Sequence, residues 1–232
     1  MLVPYEGESF KIVPLKLGHM DNFIYVIIDR KTKKAAVVDP AWQVAEVEKA
    51  LVEYGAELAM VLITHTHYDH VNGVDEILHR HDIPLYIHED EANFWGRAGE
   101  MAVLVKDESL IDLGETSIEV IATPGHTIGG ICFRMEDHLI SGDSFFVYGC
   151  GHCKLKGSDP ARLYASVQKI QRVLPAHTIM YPGHDYGIVP TITLQEQIDG
   201  NPFFRCKDEA DFIDYRMNRH DRSQPYEACD PA

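Results

Sequence analysis

Residues 64–70 read Thr64-His65-Thr66-His67-Tyr68-Asp69-His70 and directly follow a short apolar run that we interpret as a buried strand. In an extended segment, residues i and i+2 point to the same side, so His65 and His67 can share one metal ion. Asp69 and His70 stand at the turn into the next helix and point to a neighbouring position. A solvated histidine-rich loop is the alternative interpretation, but it rarely collects four such side chains. The segment therefore predicts a metal site at the end of a buried strand.

Three further candidate ligands each stand directly after a predicted strand and a glycine. They are His126 in Thr123-Pro-Gly-His-Thr127, Asp143 in Ser141-Gly-Asp143 and His184 in Tyr181-Pro-Gly-His-Asp185. A preceding glycine permits a tight turn and a close backbone approach. Open α/β sheets place their sites beyond the carboxyl ends of strands, so we expect all of these segments to contribute to one site. Imidazole and carboxylate ligands suit zinc, iron or manganese without selecting among them.

Strand and helix patterns alternate along the rest of the chain. An amphipathic helix is predicted over residues 44–54 because apolar residues recur there at helical spacing, and a second helix begins at Asp159 with Pro160 in its first turn. Strands are predicted at 23–29, 35–39, 58–64, 84–88, 109–113, 116–122, 130–135, 138–141 and 177–181, and a further helix at 74–81. This order indicates a layered α/β protein with two packed sheets and outer helices. We expect a catalytic domain over residues 1–190 and a short C-terminal helical extension or tail over 191–232.

The composition narrows the class of protein. The 232 residues are 45% apolar and 25% charged, which is ordinary for a globular chain, and the net charge of −15 argues against nucleic acid as a partner. No apolar run reaches the length of roughly 20 residues that a membrane-spanning helix needs, and the first residues lack the pattern of a signal peptide. The five cysteines have no regular spacing, which favours a reducing compartment. We expect a cytoplasmic protein that binds no membrane; the oligomeric state stays open, a dimer included.

The order of the candidate ligands resembles the metallo-β-lactamase superfamily, whose fold is an αββα sandwich of two mixed sheets flanked by helices. The resemblance covers residues 15–186. Within the superfamily, the sequence is similar to the branch that contains glyoxalase II (hydroxyacylglutathione hydrolase) and persulfide dioxygenase. The matching segments are Asp21-Asn-Phe23, Ala36-Val-Val-Asp-Pro40, Gly142-Asp-Ser-Phe145, Gly149-Cys-Gly151 and Gly183-His-Asp-Tyr186.

This resemblance implies two divalent metal ions (zinc, iron or manganese) and a division of the ligands between them. The first ion would be held by His65, His67 and His126, the second by Asp69, His70 and His184, and Asp143 would bridge both. Two such cations lower the pKa of a bound water to near neutrality, and the hydroxide attacks a carbonyl carbon. Asp69 has a second implied role in orienting that hydroxide, so Asp69 and Asp143 are the expected catalytic residues.

Three hypotheses about function follow from the resemblance. The first is a metal-dependent hydrolase that cleaves a thioester, of glyoxalase II type, acting on a small thiol-derived substrate such as a glutathione conjugate. The second is a persulfide dioxygenase with one Fe(II) on His65, His126 and Asp143. Because those three residues are present in either case, ligand identity does not discriminate between the two enzymes. The third hypothesis is a non-catalytic thiol- or metal-binding protein of the same fold.

The expected substrate residues match the family only in part. Tyr186 matches the family tyrosine that contacts the thiol ligand. Both enzyme families carry a basic residue directly after Gly-Cys-Gly, where this sequence has His152, and Lys154 or Lys156 could supply the charge instead. Glyoxalase II also has a C-terminal helical domain that contacts glutathione, whereas only a short stretch follows His184 here. A shorter thioesterase with a different thiol carrier fits equally well.

Cys150-Gly-His-Cys153 has the spacing of a redox Cys-x-x-Cys motif but not its context of an early strand and a following helix. We expect a substrate-side loop that contains two thiols. A sulfur-handling role and a half-site for an additional zinc ion are the alternatives.

Overall fold

The computed structural model describes residues 3–97, 99, 102–220 and 226–229. The chain divides into two compact units, residues 1–120 and 121–232. The domain boundary expected near residue 190 stays a prediction. Within the described residues, every helix is too short or too polar to cross a bilayer.

The first unit is built on a seven-stranded mixed sheet whose strands lie in chain order. Its strands are β1 (Tyr5–Glu6), β2 (Phe10–Leu17), β3 (Asn22–Asp29), β4 (Lys34–Val38), β5 (Glu57–Leu62), β6 (Leu85–His88) and β7 (Ala102–Val105). The pairs from β1 to β4 are antiparallel, and those from β4 to β7 are parallel. The helices between the parallel strands are α1 (Val44–Tyr54), α2 (Tyr68–Val71), α3 (Val74–Arg80) and α4 (Glu89–Trp95). An antiparallel hairpin follows, β8 (Leu110–Leu113) with β9 (Thr116–Ala122).

The core of this unit explains why its elements form. All eight residues of β3 are buried, and the apolar face of α1 packs into the same cluster through Val44, Val47 and Leu51. The predicted helix at 44–54 is confirmed, and it ends at Gly55, which has the left-handed conformation that glycine adopts without strain. The short strand β5 is buried along its last three residues. It therefore holds the start of the predicted ligand segment rigidly.

The second unit contains the end of β9 and a mixed sheet in the order β15-β14-β11-β10-β9. Its strands are β10 (Ile131–Met135), β11 (His138–Gly142), β14 (Ile179–Pro182) and β15 (Ile192–Thr193), with a separate ribbon of β12 (Phe145–Phe146) and β13 (Gly149–Cys150). β11 and β14 are parallel neighbours, so their carboxyl ends lie at the same edge of the sheet. The helices are α5 (Pro160–Val173), α6 (Leu194–Gly200) and α7 (Glu209–Asp214), and a π-helical turn follows at Tyr215–Arg219.

Side-chain caps and aromatic packing hold these helices in place. The carboxylate of Asp159 accepts hydrogen bonds from the first backbone N–H groups of α5, as its position before Pro160 predicts. After α6, the side chains of Phe203 and Phe212 are fully buried in the core of the unit. The C-terminal elements are therefore packed parts of the second unit.

Candidate metal centre

The four predicted ligands of the first unit form one cluster between β5 and α2. His65, Asp69 and His70 are buried, and His67 is half-buried. The ring of His65 lies 4.8 Å from that of His67 and 4.1 Å from that of His70, measured between centroids. The Nε2 atom of His70 lies 3.5 Å from Oδ2 of Asp69. The segment after β5 thus carries the imidazoles of His65 and His67, and α2 carries Asp69 and His70, as the sequence predicts for the turn into the next helix.

Asp39, at the end of β4, orients this cluster from the neighbouring strand. Its carboxylate accepts hydrogen bonds from the backbone N–H of Thr64 at 2.7 Å and from the Thr64 hydroxyl at 2.5 Å. Its Oδ2 also lies 2.9 Å from Nδ1 of His70. A histidine that donates Nδ1–H to a carboxylate carries its lone pair on Nε2, which is the usual arrangement around a metal ligand. Because three groups already engage its oxygens, we assign Asp39 to orientation and not to the ligand set.

Two more side chains hold the ligand segment in place. The amide nitrogen of Asn22 donates hydrogen bonds to the backbone oxygen and to Oδ2 of Asp69, both at 3.0 Å. The carboxylate of Glu91, itself 1% exposed, accepts from the backbone N–H of Thr66 at 2.8 Å and from its hydroxyl at 2.7 Å. The sequence patterns assign no role to Asp39, Glu91 or Asn22. Asp39 and Asn22 do lie in two of the segments that resemble the superfamily.

In the second unit, the two predicted histidine ligands lie beside the third predicted ligand, the carboxylate of Asp143. Oδ2 of Asp143 lies 3.7 Å from Nε2 of His126 and 3.4 Å from Nε2 of His184, and all three side chains are buried. Asp143 follows β11, and His184 follows β14, so the parallel pairing of these strands accounts for their proximity. The arrangement places one carboxylate within 3.7 Å of two imidazoles, and the bridging role of Asp143 stays a prediction.

The backbone of Gly151 and His152, directly after β13, orients His126. Nδ1 of His126 lies 2.8 Å from the backbone oxygen of His152, so the ring donates Nδ1–H to a carbonyl and presents Nε2 to Asp143. A Cβ on Gly151 would lie 2.2 Å from the backbone oxygen of Asp143 and 2.6 Å from the His126 ring. Only glycine allows the backbone to approach the ligands this closely.

The expected substrate residues occupy different environments. The ring of Tyr186 stacks on that of His184, with 4.5 Å between centroids, and 37% of Tyr186 is exposed. The half-buried ring of His152 lies 4.9 Å from that of His126. Lys154 is exposed on the loop that follows. Tyr186 and His152 therefore flank ligand residues, whereas the position of Lys154 favours no particular contact.

The Cys150/Cys153 pair is buried. Burial raises the pKa of the Cys150 thiol well above its ordinary value, against the opposing charge of Arg216. The Cys153 thiol donates to the backbone oxygen of Gly125 at 3.4 Å. Redox cysteines need an accessible thiolate, so these environments argue against a sulfur-handling role. In the part of the chain that the structure describes, no candidate metal group includes a cysteine, which gives the zinc half-site no support.

Comparison with known families agrees with the geometry of both units. Residues 18–184 match the sequence profile of the metallo-beta-lactamase superfamily. The chain belongs to this superfamily. The resemblance inferred from the ligand motifs is therefore confirmed, as is the fold of two large mixed sheets with flanking helices.

Relatives within the metallo-beta-lactamase superfamily differ in the length that they share with this chain. The sequence is 31% identical over 217 residues to the probable polyketide biosynthesis zinc-dependent hydrolase BaeB of Bacillus velezensis, covering 93% of this chain and 96% of that protein. It is 38% identical over 167 residues to the hydroxyacylglutathione hydrolase of Alkalilimnicola ehrlichii, covering 72% of this chain and 62% of that enzyme. Among solved structures, ETHE1 from Myxococcus xanthus superposes with a TM-score of 0.82 at 26% identity, covering 93% of this chain and 94% of that one.

Proposed function

We propose that this member of the metallo-beta-lactamase superfamily is a metal-dependent hydrolase that cleaves thioesters. One ion would be held by His65, His67 and His126, a second by Asp69, His70 and His184, with Asp143 between them. When bound, a pair of divalent ions supplies a hydroxide nucleophile near neutral pH and polarises the carbonyl that it attacks.

The residues of each unit fit such ions. His70 donates Nδ1–H to the Asp39 carboxylate, and His126 donates Nδ1–H to a backbone carbonyl. Both contacts fix the tautomer that carries the lone pair on Nε2, and this kind of support is typical of metal-binding histidines. The donor set of imidazoles and carboxylates accepts zinc, iron or manganese, so we leave the metal open.

The chain's own groups would carry the remaining steps. Asp69, held in one orientation by Asn22, would accept a hydrogen bond from the nucleophile and direct it toward the acyl carbon. Tyr186, stacked on His184 with its edge partly exposed, would contact the thiol portion of the substrate. Burial of Asp69 and Asp143 excludes bulk water from the carboxylates and strengthens these interactions.

One observation favours a two-metal hydrolase over a one-iron oxygenase. A single Fe(II) on His65, His126 and Asp143 would not use Asp69 or His70 as ligands. In the structure, however, each of these two side chains has its own buried orienting partner, Asn22 for Asp69 and Asp39 for His70. Buried polar networks of this kind are costly unless every member is satisfied, which supports a functional role for both residues.

The identity of the thiol is the open part of the proposal. His152 stands where the glutathione-dependent families carry a basic residue, and its ring lies beside His126. A relative that matches this chain over nearly its full length, BaeB, has a name that refers to polyketide biosynthesis and zinc, not to glutathione. We therefore propose a thioester substrate, and the experiment below compares a glutathione thioester with a thioester of a different thiol.

The test measures metal content and thiol release on the same preparation. Elemental analysis gives the metal stoichiometry, and a thiol reagent follows hydrolysis of S-lactoylglutathione and of an acyl-N-acetylcysteamine thioester. We expect two ions per chain, loss of hydrolysis after chelation, and recovery with Zn²⁺, Fe²⁺ or Mn²⁺. Asp143→Ala should abolish hydrolysis, whereas Asp137→Ala, at an exposed aspartate in the β10–β11 turn, should leave it unchanged.

The likeness to ETHE1 supports the iron-dependent persulfide dioxygenase as a second candidate. O₂ consumption with glutathione persulfide, measured on anaerobically purified protein, separates the two. One iron per chain with rapid O₂ uptake and no thiol release from either thioester would replace the hydrolase with the dioxygenase.

A further inference from the structure

Trp42 has a backbone conformation that bulky residues rarely adopt. Its φ angle is +63°, in the left-handed region, at the turn between β4 and α1. A large side chain persists there only where its surroundings hold it, and such outliers cluster at functional sites. The contacts of Trp42 therefore indicate the role of this backbone conformation.

Two contacts fasten Trp42 to the ligand segment and to the loop before β3. Its backbone N–H donates to Oδ1 of Asn72, the residue that ends α2, at 2.6 Å. Its indole ring lies against Gly18, where an added Cβ would come within 2.4 Å of the ring. The indole thus lies beside the loop before β3 and reaches the first residue of that strand, Asn22.

The indole N–H engages the amide that orients Asp69. Nε1 of Trp42 donates to Oδ1 of Asn22 at 2.7 Å, while Nδ2 of the same amide donates to Asp69. The oxygen and nitrogen ends of an asparagine amide can exchange by rotation, and an indole N–H can only donate. The two oxygens of Asp69 that accept from Nδ2 already favour this orientation of the Asn22 amide, and the Trp42 N–H fixes it from the oxygen end.

We propose that Trp42 is a positioning residue for Asp69 and acts through Asn22. The proposal rests on the proposed function, in which Asp69 is a metal ligand. Without the indole donor, only the two hydrogen bonds to Asp69 hold the Asn22 amide, so the amide is fixed less tightly. A less tightly fixed amide keeps its hydrogen bond to Oδ2 for less of the time, so Asp69 spends less time in the ligand geometry.

Packing of the ring is separable from this effect. The indole makes edge contacts with His19 at 4.5 Å and with Tyr68 at 6.2 Å, between ring centroids. A phenyl ring at position 42 retains an apolar ring against Gly18 but has no N–H. Trp42→Phe therefore removes the donor and keeps most of the packing.

The experiment measures metal affinity on chelator-stripped protein by competition with a Zn²⁺ indicator. Trp42→Phe should weaken one bound ion about two- to tenfold, the effect of losing one neutral hydrogen bond. Asn22→Ala should weaken it about 10- to 100-fold, as is usual for the partner of a metal ligand. Trp95→Phe is the matched control and should have the affinity of the wild type, because Trp95 lies at the end of α4.

A double variant tests the route of the effect. If Trp42 acts through Asn22, adding Trp42→Phe to Asn22→Ala should change the affinity no further, because the intermediary is gone. Equal additive losses would overturn the proposal, as would an unchanged affinity in Trp42→Phe. Urea unfolding of the metal-free variants reveals a purely structural role, which would lower the midpoint and leave the affinity of folded protein intact.

Because metal affinity is measured separately from thioester hydrolysis, the role of Trp42 and the proposed function can fail independently. Wild-type protein that shows these changes in affinity but hydrolyses no thioester would refute the hydrolase and leave the role of Trp42 standing. Thioester hydrolysis by the wild type together with unchanged affinity in Trp42→Phe would refute only the role of Trp42. Wild-type protein that binds no metal would overturn both.

Discussion

Replacing Asp39 with asparagine exchanges one carboxylate oxygen for an amide NH₂ and should move a proton on His70. Asp39 accepts from the Thr64 backbone N–H, from the Thr64 hydroxyl and from His70 Nδ1, and its side chain is almost fully buried. The amide has one oxygen, so it must face either the Thr64 N–H or the His70 Nδ1–H with an N–H donor of its own. If His70 yields, its proton moves to Nε2, the atom proposed to bind metal.

The expected magnitude follows from these contacts. Loss of the partner of a metal-binding histidine weakens metal binding about 10- to 100-fold, or about 1.4–2.7 kcal/mol. Misplacing a buried donor costs a further ~1–3 kcal/mol of the free energy of unfolding. We therefore expect Asp39→Asn to lower both Zn²⁺ affinity, measured by indicator competition, and the urea midpoint of the metal-free protein.

Asp29→Asn is the matched control. Asp29 is equally buried, and its carboxylate accepts from the backbone N–H and hydroxyl of Thr32, the Thr116 hydroxyl and the Glu115 backbone N–H, but from no histidine. Its substitution should lower the urea midpoint and leave Zn²⁺ affinity unchanged. If Asp39→Asn behaves like Asp29→Asn, with lower stability and wild-type affinity, the tautomer argument is refuted.

Three other outcomes follow from the second unit. Gly151→Ala places a methyl group 2.2 Å from the backbone oxygen of Asp143, so overpacking should lower the free energy of unfolding by about 1–3 kcal/mol in urea titrations. Tyr226→Phe removes the hydroxyl that donates to the Cys150 carbonyl at 2.9 Å, and should cost about 0.5–1.5 kcal/mol in the same assay; no change would mean that this bond contributes nothing. Burial raises the pKa of the Cys206 thiol from 9.0 to about 11, so its thiolate is scarce at pH 8. The roughly 100-fold smaller thiolate fraction is offset about tenfold by the greater nucleophilicity of a more basic thiolate, so mass spectrometry should show Cys206 alkylated about tenfold more slowly than an unperturbed thiol. Labelling at the rate of a model thiol would contradict the shift.

The elements that local patterns specify were predictable. Helix α5 has its cap Asp159, Pro160 in its first turn and apolar residues at helical spacing, and each signal is local. Strand β2 escaped prediction because Pro14 lies within it, and proline is uncommon in a strand that pairs on both sides. Helix α4 was also missed, since its seven residues carry three acidic side chains in the first turn and few apolar ones.

The candidate ligands could be selected from the sequence for a related reason, whereas the residues that orient them could not. Three histidines at close spacing directly after one predicted strand, His65, His67 and His70, indicate a metal site from residue type alone. Asp39 and Asn22 act on residues that are 25 and 47 positions away in sequence, so their roles depend on strand order in the folded sheet. In the sequence, Asp39 looks like any aspartate that ends a strand before a proline, and no neighbouring residue indicates its contact with His70.

The contact between His126 and residue 152 allows the side chain at position 152 to change independently of the orientation of His126. The His126 ring is held by the backbone oxygen at position 152, which every amino acid provides. The side chain there, beside the ligands and partly exposed, can therefore be exchanged without withdrawing support from the metal ligand. A lineage, or a mutagenesis library restricted to this one codon, can change the side chain beside the proposed metal centre while the His126 ring keeps its geometry.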